Sequence, residues 1–108
     1  MNGNIINKNT LIFKVSSDGQ FSSDLLKPLS SSDNNVVNFI ADMSDVHLDT
    51  IEIIKNNLVI FGRSIYENNG SFVIVCSHVF SEKLNIVPTI QEALDFIEME
   101  DIERQLNY

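Results

Sequence analysis

The chain has 108 residues, one cysteine and a net charge of −8, with a pI near 4.4. That length holds one small domain, and a hydrophobic content of 44 % is enough for a packed core rather than a disordered chain. So acidic a surface repels phosphate backbones and anionic lipid headgroups, which argues against nucleic-acid and membrane binding and leaves a basic partner protein open.

Residues 1–10 (MNGNIINKNT) are polar and Asn-rich and read as a flexible N-terminus ahead of a single domain over 11–108. They lack the apolar region of a leader peptide, and no apolar run approaches the roughly 20 residues that span a bilayer. A cytoplasmic protein is expected. LIFKV (11–15) is a first strand, closed by the turn residues SSDGQ. FSSDLLKPL (21–29) has room for one or two helical turns, with Pro28 limiting them, and SSSDNN (30–35) is a loop. VVNFIADM (36–43) is nearly all apolar, as a strand covered on both faces should be.

From Ile51 the spacing becomes helical. Ile51, Ile54, Leu58, Phe61 and Ile65 recur at three, four, three and four residues and draw one buried stripe. Asp49 and Glu52 have capping-box spacing, which predicts Asp49 as the N-cap and Thr50 as the first helical residue. Asn68-Asn69-Gly70 should end the helix near Glu67. Gly62 inside it needs a close packing contact as its reason. SFVIVC is a second buried strand, with Cys76 an inert core thiol. LNIV (84–87) is a short strand, and Thr89 with Glu92 is a second capping box opening a helix whose Ile90, Ala93, Leu94 and Ile97 point to the core. The fold class is α/β: a mixed sheet of about four strands with helices packed mainly on one side.

Residues 89–108 carry six acids against one base, Arg104, and so most of the net charge. Met99, Ile102 and Leu106 extend the apolar pattern of this helix, again at three and four residues. Such a stripe folds back on its own sheet or meets a partner helix or a second copy.

Asp42-Met43-Ser44, Val46 and Asp49-Thr50 at a helix start, then Phe61-Gly62-Arg63, Asn69-Gly70 before a strand, and Val87-Pro88-Thr89 with Glu92-Ala93, form an ordered set that resembles the STAS domain of bacterial anti-sigma factor antagonists. The likeness covers about residues 36–100. It implies a non-enzymatic regulator that binds an anti-sigma factor or kinase-like regulator, with Thr50 as phosphoacceptor. Asp49 would shape the docking surface, and Ser44, Asp45 and His47 would form the loop around it. The chain departs from the pattern at Ile51-Glu52, where the family has a small residue and Gly. Anchoring on Phe61-Gly62-Arg63 instead puts Ile53-Ile54 at the switch position. The second reading is a phosphorylation-independent adaptor or homodimer working through Met99, Ile102 and Leu106.

Other chemistries find little material. His47 and His78 are solitary, no residues stand at metal-ligand spacing, and no nucleophile–base pair is evident, so no metal, cofactor or catalytic residue is expected. A small-ligand reading finds no basic or Gly-rich phosphate cradle along the chain.

Overall fold

The computed structural model describes residues 5–7, 9–19 and 36–106. The helical turns expected at 21–29 and the loop at 30–35 lie outside the described residues. Five strands form one sheet in the order β1 (Ile5–Asn7), β2 (Thr10–Lys14), β3 (Asn38–Asp42), β4 (Phe72–Val75), β5 (Asn85–Val87). β1 is antiparallel to β2, and the other neighbours are parallel. The sheet is mixed, as expected. β1 is the strand that the sequence did not suggest: it lies within the polar first ten residues and is too short to show a period.

Helix α1 (Leu48–Glu67) connects β3 to β4, and α2 (Ile90–Leu106) follows β5. The pleat sends alternate strand residues to opposite sides. Leu11, Phe13, Phe39, Ala41, Phe72 and Ile74 pack with the α1 stripe in the larger core, and all five stripe residues are buried. Ile40, Val73 and Val75 pack on the other face with Ala93 and Ile97 of α2. The bulk of the core therefore lies on the α1 side, and α2 covers the opposite face. Phe61 is the hub of the larger core. Its ring makes edge contacts to Phe13, Phe39 and Phe72 at centroid distances of 6.0, 5.8 and 5.2 Å, each such pair adding about 1 kcal/mol beyond area burial. Cys76 is buried in the same core.

Two glycines have steric reasons. A Cβ on Gly62 would stand 2.8 Å from Cδ2 of Phe72, the close packing contact that the helix interior required. A Cβ on Gly70 would stand 1.7 Å from the carbonyl oxygen of Val37. The left-handed residue ending α1 is Asn69, at φ 64°, and the N–H of Gly70 returns to the carbonyl of Ile65 at 3.0 Å. The second capping site forms as expected, with the N–H of Glu92 donating to Oγ1 of Thr89 at 3.1 Å. The first does not. α1 begins two residues earlier than an Asp49 cap allows, its N-cap is His47, and the His47 side chain makes no capping hydrogen bond. Glu52 instead accepts from Lys55 at 2.9 Å. The buried Val46 and the bond from its N–H to the carbonyl of Met43 (3.2 Å) close the turn tightly enough to start the helix early.

Candidate functional site: the corner between β3 and α1

The carboxyl ends of the parallel strands β2, β3 and β4 lie side by side, at the end of the sheet where open α/β folds bind ligands. The switch residues read from the sequence sit here. Asp42, the last residue of β3, accepts a hydrogen bond from the N–H of Ser44 at 3.0 Å, an Asx turn that assigns Ser44 a turn role. Asp45 is exposed and pairs with Lys14 of β2 at 2.8 Å, linking the corner to the neighbouring strand. That hydrogen bond, then the Asp45 charge itself, hold the Lys14 ammonium above its ordinary pKa. His47 and Asp49 are exposed, and Thr50 is half-buried in the first turn of α1. Its methyl carbon lies 2.6 Å from where a Cβ on Gly19 would be. Gly19 has φ 81°, closes the turn after β2 through a 2.8 Å bond from its N–H to Ser16, and so lets that turn lie against Thr50.

The corner therefore combines an uncapped helix N-terminus, a threonine in its first turn and the exposed Ser44, Asp45, His47 and Asp49. Thr50 is the third residue of α1, so phosphorylation there would put charge beside the first-turn N–H groups, where the helix dipole favours it. Asp45 and Asp49 would oppose that charge.

The other expected surface is elsewhere. Met99, Ile102 and Leu106 are 66 %, 49 % and 77 % exposed, on the half of α2 that lies near the starts of β3 and β4. A polar latch holds this half down. One guanidinium nitrogen of Arg104 donates to Ser71 Oγ at 2.9 Å and to Asp101 Oδ1 at 2.6 Å, and the other reaches the Gly70 carbonyl at 3.4 Å. Asn38, fully buried, receives the Ser71 N–H at 2.8 Å, and its amide reaches Asp101 at 3.4 Å. The backbone of α2 folds back on its own sheet while its apolar stripe stays in solvent. The two candidate surfaces are at opposite ends of the strands and do not form one site.

Folding also gathers residues that reading along the chain missed. Lys55 and Arg63 of α1 and Lys83 of the β4–β5 loop line two adjoining clefts. Lys55 and Arg63 are eight residues apart and Lys83 is twenty beyond, so no spacing announces the group. The linear sequence lacks a basic cradle, and the fold brings one together. Among the described residues no group of three His, Cys, Asp or Glu could hold a metal ion, and no helix is long and apolar enough to cross a membrane. No protein-family model, curated protein or solved structure matches the chain.

Proposed function

We propose that this protein is a non-enzymatic regulatory module that docks another protein through the β3–α1 corner and is switched by phosphorylation of Thr50. The observation that carries the reading is the position of Thr50: first turn of an uncapped helix, half-buried, with exposed Asp45, His47 and Asp49 around it in sequence. A dephosphorylated corner offers a compact polar surface. A phosphate adds roughly −1.5 to −2 charge and bulk next to two carboxylates and drives off a partner packed closely on the corner. The STAS likeness makes the partner an anti-sigma factor or kinase-like regulator.

The exposed Met99, Ile102 and Leu106 favour a second reading, an adaptor or homodimer that uses α2 whatever the state of Thr50. One set of captures separates the two. Tagged wild-type protein, Thr50→Glu and a variant with Met99, Ile102 and Leu106 all changed to Gln are compared for the partner they retain. Loss with Thr50→Glu alone, and phosphate mapped to Thr50 in the native protein, supports the switch. Loss with the α2 variant alone sinks it and leaves the adaptor.

A further inference from the structure

The groove between α1 and the loop before β5 is lined by cations. Its first cleft, about 220 Å³, is floored by Val59, Gly62, Phe72 and Leu84. Arg63 and Lys83 stand at both this cleft and the next, of about 420 Å³, where Lys55 joins them. Among the described residues no carboxylate lines either cleft, in a chain with 15 acids and 7 bases.

The other described cations have partners elsewhere: Lys14 has Asp45 and Arg104 has Asp101. Lys55 pairs with Glu52. Among the described residues, Arg63 and Lys83 form no ion pair. Two cations at one groove with no acid between them repel each other, and an anion removes that repulsion. Tyr66 adds no negative charge at the rim. Burial, and then the hydrogen bond to Glu100, push its hydroxyl up to about 12, so it stays protonated.

We propose that this groove binds a small amphiphilic anion, its phosphate or carboxylate head between Arg63 and Lys83 and its apolar body on the part-exposed Val59 and Leu84. The floor gives the body a surface to cover, and Arg63 gives the head a planar, forked donor. The overall negative charge does not prevent this. At physiological salt the screening length is about 8 Å, so the nearest cations decide.

The test is an amide-shift NMR titration of the full chain with phenyl phosphate and phenylacetate, against inorganic phosphate and phenol. Saturable shifts at Gly62, Arg63 and Lys83–Asn85, with a Kd of about 1 mM or tighter, are expected for at least one of the two-part probes. Inorganic phosphate and phenol should each bind about tenfold more weakly, having half of the contacts. Arg63→Gln with Lys83→Gln should weaken binding about tenfold while the melting temperature stays near wild type. Thr50→Glu should leave it unchanged, which keeps this site distinct from the switch at the β3–α1 corner. Equal binding of inorganic phosphate would reduce the site to an adventitious ion and overturn the proposal. So would shifts that persist in the double variant, or saturation of these amides by an acidic peptide but by neither two-part probe.

Discussion

The two helices are held by different forces. α1 buries Ile51, Ile54, Leu58, Phe61 and Ile65 against one face of the sheet, and its core runs almost its whole length. α2 fully buries only Ala93 and Ile97, and beyond them a latch of Arg104, Asp101, Asn38 and Ser71 replaces apolar packing. Burial is insensitive to salt, whereas a part-exposed ionic latch is screened by it. The lesson is that the distal half of α2 can loosen without unfolding the domain, while α1 cannot. The surface that exposes Met99, Ile102 and Leu106 is thus the less firmly held of the two.

The largest effect should come from the hub of the α1 core. Phe61→Ala removes three edge contacts and leaves a cavity, which costs about 3–5 kcal/mol. Chemical denaturation should show the midpoint falling with an unchanged m-value. Ile102→Ala, the same kind of truncation on the exposed side of α2, should stay within about 0.5 kcal/mol of wild type. A cost near that of Phe61→Ala would mean that the stripe is covered in solution.

The latch comes next. Arg104→Leu leaves Ser71 Oγ, Asp101 and Asn38 Oδ1 short of a donor and should cost about 1–3 kcal/mol. Hydrogen exchange should accelerate over residues 98–106 and remain slow in α1. Arg104→Lys should not restore it, because an ammonium lacks the planar fork that reaches several acceptors at once. Equal acceleration in both helices would erase the distinction drawn between them.

What could be read from the sequence follows the same division. The α1 stripe, its end at Glu67, the buried strands and the Thr89 cap are all set by local period or local hydrogen bonding, and each was legible. The latch was not, because Arg104 meets Ser71 and Asn38 across 33 and 66 residues. The clefts were invisible for the same reason. Of the candidate site, the position of Thr50 in a first helical turn was legible. The cap was misassigned from Asp49 to Glu52 spacing, since the tight turn at Val46 starts the helix before Asp49 can cap it.

That misassignment gives a sharper test of the two helix starts. α2 has a side-chain cap and α1 has none. Thr89→Ala should cost about 1 kcal/mol, whereas His47→Ser should add up to about 1 kcal/mol by supplying the missing acceptor. Thermal melts of the two variants should move in opposite directions. A destabilising His47→Ser would show that the exposed imidazole contributes more to the corner than its position as an uncapped N-cap indicates.

The smallest effect lies where the helices meet. The Tyr66 hydroxyl of α1 donates to Glu100 of α2 at 2.9 Å and accepts from the Asn85 amide at 2.7 Å. Burial first, and then Glu100, raise its pKa from 10.0 to about 12. The folded state therefore holds this proton more tightly than the unfolded chain does. Its stabilising contribution is complete below pH 10 and is lost as the pH rises from 10 toward 12, because the unfolded phenol ionises first. Tyr66 is more than a third exposed, so solvent screening limits the loss to the order of 1 kcal/mol. Lysines titrate in the same window, so the measurement is the difference in stability between wild type and Tyr66→Phe across it. That difference should shrink with rising pH, and it should do so less in Glu100→Gln, which removes the carboxylate that helps hold the proton. A difference that stays flat would mean that the two helices are not coupled through this hydroxyl, and that the latch of Arg104, Asp101, Asn38 and Ser71 fastens the distal half of α2 without it.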